Sequence, residues 1–288
     1  MILIMGCNGH IGKEIAGILA KRGEKFRGFD IADKGDMGGL MEFVQGSILD
    51  KQAVNNAVKG ADTVIDVIGL SRARKNLTHE MVEYGGLKNI LSAGKESGVK
   101  RILYTSALGA GENQPSSILR AKWKAEQLLA NSGLNYTVFR PSGYFVDFSE
   151  IFARMIKETG KFQLPGKGNN RIQPIAPEDV ADLYLMSVDN EKTFGQVLPI
   201  GGPDVFSLND VVRLVGKVVG KDVEIRHKYL FPMKALAMAM NMLGKPGLRD
   251  FLQRVTHDSI LTKEQNDFLH KNFPQKKYVR LEEWLRKG

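Results

Sequence analysis

The feature that most constrains the fold of this sequence is a glycine loop at residues 6–12, directly after a short apolar strand at residues 1–5. In such a loop the first glycine, Gly6, permits a tight turn, Gly9 lets the backbone approach a pyrophosphate, and Gly12 lets the next helix pack close to the sheet. The N-terminus of that helix offers N–H groups and a positive dipole end to phosphates. The order of strand, loop and helix therefore predicts a dinucleotide-binding site.

An acid at the end of the second predicted strand adds to this site. The strand Phe26–Asp30 ends in Asp30, where a carboxylate accepts hydrogen bonds from adenosine ribose hydroxyls and repels the 2′-phosphate of NADP. The sequence thus predicts a preference for NAD, with NADP as the alternative because Arg27 or Lys34 could bind a phosphate. The predicted cofactor-binding residues of this segment are Gly6, Asn8, Gly9, His10, Ile11, Gly12 and Asp30.

The composition is that of an ordinary soluble protein, with 43% hydrophobic and 25% charged residues. The N-terminus is typical of a core strand rather than a signal peptide, and no apolar run reaches the ~18–20 residues that span a bilayer. A cytoplasmic location is therefore expected. The single Cys7 excludes an internal disulfide, and we interpret it as a small loop-filling residue, with a reactive thiol as the alternative. The histidines show no metal-binding spacing, so no metal site is predicted.

The net charge of +9 is concentrated towards the C-terminus. A solvated basic surface is the plainest interpretation, and an anionic substrate, an acidic partner or a membrane surface are alternatives. Nucleic acid is not predicted as a partner, because no aromatic-and-basic motif accompanies the charge.

Within this basic region, residues 231–243 are apolar around nearly the whole circumference of a helix. The basic residues around them are Lys228, Lys245, Arg249 and Arg254. We expect region 228–255 to line a hydrophobic substrate pocket or to dock peripherally on a membrane or on a protein partner. The alternative is that this helix closes the core of a small domain.

Strands alternate with helical patterns through the first half of the chain. The predicted strands are Met1–Met5, Phe26–Asp30, Glu42–Gln45, Thr63–Ile68, Arg101–Thr105 and Asn135–Arg140. Amphipathic helical segments such as Met81–Ser97 and Ile118–Asn131 lie between them. This alternation predicts an α/β protein with a Rossmann-like, doubly wound parallel sheet.

The pattern changes after Pro141. Gly160–Asn170 is predicted as a loop, a helix begins at Pro177, Gln196–Ile200 is a further strand, and the chain from Val223 onward is mostly helical. The predicted organisation is an NAD(P)-binding domain at residues 1–145, continued by 177–200, and a smaller, mostly helical substrate or partner region at 146–176 and 201–288.

Several motifs resemble the extended and atypical short-chain dehydrogenase/reductase superfamily. The GxxGxxG spacing does so, and Lys-Arg-Ile-Leu-Tyr-Thr-Ser at residues 100–106 resembles the strand that precedes the active-site serine of that family. Lys122 resembles the lysine of the Tyr-x-x-x-Lys pair. The resemblance implies that Ser106 donates a hydrogen bond to substrate and that Lys122 holds the nicotinamide ribose. The alternatives are an ordinary cap of the strand for Ser106 and a solvent-exposed side chain for Lys122. Ile118 stands where the family has its catalytic tyrosine.

Other motifs point to particular branches. Arg-Pro-Ser-Gly-Tyr-Phe at 140–145 resembles the loop that passes the nicotinamide, which makes Tyr144 a candidate replacement acid or a packing residue. Residues 198–203 are similar to the divinyl chlorophyllide 8-vinyl reductase branch, and residues 261–265 resemble the complex I accessory NAD(P)-binding subunit. NmrA-like members include nucleotide sensors without turnover.

The sequence therefore predicts an NAD(P)-dependent oxidoreductase that lacks the active-site tyrosine and acts on an unidentified small molecule, for which a hydrophobic substrate is a candidate. Hydride transfer proceeds without that tyrosine if the substrate is an activated alkene or if water supplies the proton. One alternative is a catalytically silent NAD(P)-binding protein that senses redox state or supports an assembly. A nucleotide-sugar epimerase is a further alternative, weakened by Ile118.

Overall fold

The computed structural model describes residues 1–33, 41–70, 73–74, 76–242 and 247–287. The chain forms two compact units. The first consists of Met1–Arg140 and Val180–Leu198, and the second consists of Pro141–Asp179 and Pro199–Gly288.

The described residues form short strands and helices in alternation. The strands are β1 (Ile2–Met5), β2 (Phe26–Asp30), β3 (Met41–Gln45), β4 (Thr63–Asp66), β5 (Arg101–Thr105), β6 (Asn135–Pro141), β7 (Lys161–Pro165), β8 (Arg171–Ile172), β9 (Gln196–Ile200), β10 (Phe206–Ser207) and β11 (Glu224–Lys228). The helices are α1 (His10–Lys21), α2 (Lys51–Val58), α3 (Leu87–Ser97), α4 (Ser117–Ala130), α5 (Val146–Thr159), α6 (Pro177–Ser187), α7 (Leu208–Val218), α8 (Leu230–Met242), α9 (Gly247–Thr256), α10 (Lys263–Asn272) and α11 (Leu281–Lys287).

The first unit is built on a seven-stranded sheet with the order β3-β2-β1-β4-β5-β6-β9. Every pairing from β3 to β6 is parallel. The predicted Rossmann-like fold is therefore confirmed, and the six strands predicted before Pro141 end within two residues of their expected positions. Because the strand order reverses at β1, the crevice at the carboxyl ends of β1 and β4 is where such sheets bind ligands.

The helices of the first unit cover a strongly apolar sheet. Leu3, Val64 and Ile102 lie on adjacent strands and are fully buried in one core cluster. Asp50 caps α2 by accepting hydrogen bonds from two amides of its first turn. A π-helical stretch, Glu80–Gly86, is followed directly by α3. The two elements together form the helix predicted at residues 81–97.

A buried arginine joins the start of β5 to the last elements of this unit. The Nη2 of Arg101 donates to Thr137 Oγ1 at 2.6 Å, to the Ser187 carbonyl at 3.0 Å and to Thr193 Oγ1 at 2.9 Å. The guanidinium also lies 4.0 Å from the centroid of the Phe194 ring. Burial lowers the pKa of Arg101 to about 10, which leaves it charged at neutral pH.

The second unit contains two small sheets and several helices. β8 pairs antiparallel with β10, and β7 pairs parallel with β11. The prediction that Gly160–Asn170 is a loop is wrong, because β7 lies within it. The flanking glycines and lysines hid the alternation of the buried Phe162 and Leu164 with the exposed Lys161 and Gln163. No helix of the described residues is both long and apolar enough to cross a membrane.

Candidate functional site

The glycine loop of the first unit is held in a tight turn at the end of β1. Gly6 has φ +88° and donates its N–H to the Phe29 carbonyl at 2.8 Å. A Cβ at Gly6 would lie 3.0 Å from the Ile68 side chain, and a Cβ at Gly12 would lie 2.2 Å from the Gly6 carbonyl oxygen. The close packing that requires Gly12 is therefore against the loop itself, rather than against the sheet as predicted.

The N-terminus of α1 has the properties of an anion site. Its N-cap is Gly9, which has no side chain to cap the helix, and the first turn carries no acidic residue. Gly9 and His10 are exposed, whereas Asn8 and Ile11 are buried. Amides at such a helix start bind phosphate groups, so this part of the loop fits the pyrophosphate of a dinucleotide.

Asp30 is bound to the glycine loop through its carboxylate. It accepts the Asn8 N–H at 3.0 Å on one oxygen and the Ile31 N–H at 2.8 Å on the other. The Asn8 side chain donates to the Ala32 carbonyl at 2.5 Å and fixes the same turn. Since a carboxylate has about four acceptor positions, Asp30 keeps capacity for ribose hydroxyls.

One of the two basic residues that could bind the 2′-phosphate of NADP is engaged elsewhere. The guanidinium of Arg27 donates to Glu42 and, at 2.7 Å each, to the carbonyls of Ala57 and Lys59. Arg27 is thus engaged away from the strand end that carries Asp30. Lys34 lies outside the described residues.

Cys7 fills the interior of the loop. Its side chain is fully buried, and burial followed by the charge of Asp30 raises its pKa to about 12. Because the thiolate is the reactive form, this cysteine is inert at neutral pH. Its environment fits the loop-filling interpretation and not the reactive thiol.

Lys122 lies at the carboxyl end of β5 in a group of buried polar residues. Its ammonium is 2.5 Å from a carboxylate oxygen of Glu83, donates to the Thr105 carbonyl at 2.6 Å, and lies 4.8 Å from the centroid of the Tyr104 ring. Lys122 is only 4% exposed and Glu83 only 2%. The alternative of a solvent-exposed lysine is therefore wrong.

Asp66 belongs to the same group, at the end of β4 and opposite Tyr104 in the sheet register. It accepts the Ile68 N–H at 3.1 Å, while its own carbonyl accepts the Thr105 hydroxyl at 3.0 Å. Burial raises the pKa of Asp66 to about 7, against the opposing effect of the Lys122 charge. We call Asp66, Glu83, Tyr104 and Lys122 the strand-end cluster.

Ser106 follows β5 and is buried beside this cluster. Its hydroxyl donates to Glu126, and its N–H donates to the Phe139 carbonyl at 2.7 Å. Arg140 holds Glu126 with two further hydrogen bonds, at 2.8 and 2.5 Å. The predicted donation from Ser106 to substrate stays a prediction, and it requires the hydroxyl to leave Glu126.

Ile118 stands where the family has its catalytic tyrosine, and Tyr144 is the candidate replacement acid. The two residues lie in different units. Ile118 is half-buried on α4, one turn before Lys122. Tyr144 lies in the second unit, where its N–H donates to Asp147 at 3.2 Å and its backbone bridges to Ile175. The role of Tyr144 at the nicotinamide therefore stays a prediction.

Sequence reasoning missed two acids of the site, Asp66 and Glu83. A signal existed for both, because Asp66 interrupts the apolar strand Thr63–Ile68 and Glu83 lies on the buried side of an otherwise apolar helical start. Charged residues at such positions are almost always paired or functional. Within the described ranges, the acids and histidines form no group that could hold a metal ion.

Comparison with known proteins places this geometry among NAD(P)H-binding proteins. NADH dehydrogenase (ubiquinone) 1 alpha subcomplex subunit 9 of Arabidopsis thaliana is 26% identical over 74% of this chain, which spans only 56% of that relative. The NAD(P)H azoreductase of Xenophilus azovorans is 24% identical over 85% of this chain and 82% of the relative.

Solved structures share the fold at low identity. A nucleoside-diphosphate-sugar epimerase of Staphylococcus aureus has a TM-score of 0.79 at 20% identity, covering 99% of both chains. The NADPH-dependent quinone oxidoreductase of Escherichia coli, solved with NADPH, also has a TM-score of 0.79, at 21% identity over 100% of this chain and 99% of its own. The NAD(P)H-binding family matches residues 6–191. The chain belongs to the NAD(P)H-binding family, and the resemblance of its motifs to atypical, extended short-chain dehydrogenases/reductases fits that family.

Proposed function

We propose that this protein is an NAD(P)H-dependent reductase of electron-poor, conjugated acceptors such as quinones or azo compounds. The observation that carries the proposal is the pairing of a complete dinucleotide loop with Ile118 at the position of the family's acid. Reduced nicotinamide, when bound, supplies a hydride. An acceptor that delocalises the added electron pair onto oxygen or nitrogen takes its proton from water, so it needs no tyrosine.

The strand-end cluster is not expected to supply the proton in this proposal. The ammonium of Lys122 forms an ion pair with Glu83 and donates a hydrogen bond to the Thr105 carbonyl. We therefore do not expect it to donate a proton to the substrate. Two proteins of similar sequence or fold are named as reductases of such acceptors, the azoreductase and the quinone oxidoreductase. The epimerase alternative is weaker, because epimerisation needs proton transfer at a sugar hydroxyl and Ile118 cannot provide it.

The test compares two classes of acceptor. We expect the wild type to oxidise NADH or NADPH with a soluble benzoquinone and to leave simple ketones and secondary alcohols unchanged. Ile118→Tyr is expected to create measurable alcohol oxidation, since an oriented acid or base contributes about 10²–10⁴ in rate. Leu119→Tyr, which adds the same hydroxyl one position later on α4, is the control. Wild-type turnover of alcohols together with inactivity on quinones would refute the proposal.

The same proposal includes a preference for NAD(H), based on Asp30. Its carboxylate at the end of β2 would repel a 2′-phosphate, and Arg27 is held elsewhere by Glu42 and two carbonyls. Fluorescence titration with both reduced cofactors should give tighter binding of NADH, and Asp30→Ala should narrow the difference. Glu24→Ala, an acid before the start of β2, serves as control. Tighter NADPH binding by the wild type would contradict this preference.

A second candidate is a catalytically silent NAD(P)(H)-binding protein. The observation in its favour is that both residues carried over from the family, Ser106 and Lys122, are bonded to buried acids. One relative is named as a subunit of a larger complex, although this chain spans little more than half of it. Tight cofactor binding without reduction of any quinone or azo acceptor would favour this candidate over the reductase.

A further inference from the structure

α8 presents apolar side chains to solvent. Phe231 is 84% exposed, Met238 69% and Leu236 56%, and Tyr229, just before the helix, is 89% exposed. A surface helix normally buries its apolar stripe and exposes its polar face. This helix buries apolar side chains on one side and exposes further apolar side chains on the other, which is the unusual feature of the second unit.

The exposed and buried positions of α8 follow helical periodicity. Leu230, Met233 and Ala237 are buried or half-buried, at the spacing i, i+3 and i+7. Phe231 and Met238 lie one position later, seven residues apart, and so share the outward face. The helix is therefore docked on one side, and its exposed positions are apolar except for Lys234, with Leu236 on the opposite flank from Phe231 and Met238. We call Tyr229, Phe231, Leu236 and Met238 the outward stripe.

The exposed charged residues next to the outward stripe along the chain are basic. The sequence contains no aspartate or glutamate between residues 225 and 249. Lys228 and Lys234 are exposed next to the stripe, and Arg249 is exposed on α9, which packs against α8. Lys245, also expected in this region, lies outside the described residues, and so does the side chain of Arg254.

We propose that the outward stripe docks on the surface of an anionic lipid bilayer, with α8 lying in the plane of the interface. Aromatic and methionine side chains enter the boundary between headgroups and acyl chains, and the lysines pair with the anionic headgroups. α8 is 13 residues long, so it suits an interfacial position and not a spanning one. The basic, acid-free border favours this occupant over a second copy of the chain, whose same surface would repel it.

The test is co-sedimentation with vesicles. The wild type should sediment with vesicles of equal parts phosphatidylglycerol and phosphatidylcholine, less with phosphatidylcholine alone, and less again at high salt. Phe231→Ser combined with Met238→Ser should lower binding at least about tenfold, because both side chains are exposed and their loss removes apolar area. Lys228→Glu combined with Lys234→Glu should lower binding to the anionic vesicles and leave binding to phosphatidylcholine vesicles unchanged.

The control is Val205→Ser combined with Phe268→Ser, two exposed apolar residues of the second unit outside the stripe. It should bind vesicles like the wild type, and all variants should keep wild-type circular dichroism. The proposal is overturned if the wild type stays in the supernatant with both vesicles, or if the control loses as much binding as the stripe variant. It is also overturned if sedimentation equilibrium shows a wild-type dimer that the stripe variant abolishes, without vesicle binding.

Discussion

The glycine loop and the strand-end cluster lie in the same unit. The loop leaves polar groups available to a ligand, whereas the cluster pairs its polar groups with one another. At the loop, Gly9 leaves the start of α1 uncapped and Asp30 keeps acceptor capacity. In the cluster, Lys122 and Glu83 satisfy each other in a buried ion pair. The difference shows that one unit can leave polar groups of its glycine loop available to a ligand while pairing those at the carboxyl ends of β4 and β5 within its core.

The largest expected effect comes from breaking the buried ion pair. Lys122→Met should lower the free energy of unfolding by about 3–5 kcal/mol, because Glu83 is left as an uncompensated buried charge. Denaturant unfolding measures this loss. The double variant Lys122→Met with Glu83→Gln should recover most of it, since the amide still accepts the Leu70 N–H. A loss below about 1 kcal/mol in the single variant would show that the pair is hydrated.

The next effect is a pH dependence from Asp66. Its folded pKa of about 7 lies above the ordinary aspartate value of 3.8, so the folded state binds the proton more tightly. Stability should therefore fall as pH rises from about 4 to 7 and stay low above it, with a total of up to about 4 kcal/mol. Asp66→Asn should remove this slope in unfolding experiments across that range. A wild-type slope of the opposite sign in the same window would contradict the assignment.

A smaller effect is expected in the glycine loop. Gly12→Ala should lower the free energy of unfolding by about 1–3 kcal/mol and weaken NADH binding, because the new Cβ would lie 2.2 Å from the Gly6 carbonyl oxygen. Gly17→Ala is the matched control on the same helix, where a Cβ meets nothing within 4 Å. It should gain up to about 1 kcal/mol and keep NADH binding. Equal losses of binding in both variants would show that α1, and not the loop, is affected.

The smallest effect tests whether Ser106 belongs to the core or to the chemistry. Ser106→Ala removes a hydrogen bond to Glu126 and should cost about 1 kcal/mol of stability. Under the proposed reductase activity, benzoquinone reduction should change by less than tenfold. A loss of about a hundredfold in kcat with unchanged stability would assign Ser106 a direct role with substrate.

The sequence was most informative where structure depends on neighbours along the chain. Gly6, Gly12 and Asp30 could be identified because strand, turn and helix succeed one another locally. The pairing of β7 with β11 could not, since Lys161–Pro165 and Glu224–Lys228 are far apart in sequence and the second strand is largely polar and exposed. The burial of Glu83 had a local signal, but its pairing could not be predicted for the same reason, because its partner Lys122 comes from another helix.

The position of Arg101 has a consequence for synthesis of the chain on the ribosome. Two of the three acceptors of its Nη2, at Ser187 and Thr193, emerge long after β5 has been made. Until then the Arg101 guanidinium lacks these two acceptors and must stay hydrated, so the residues around it cannot pack as in the folded unit. We therefore expect the first unit to complete its fold late, after residues 141–179 of the second unit have already left the exit tunnel.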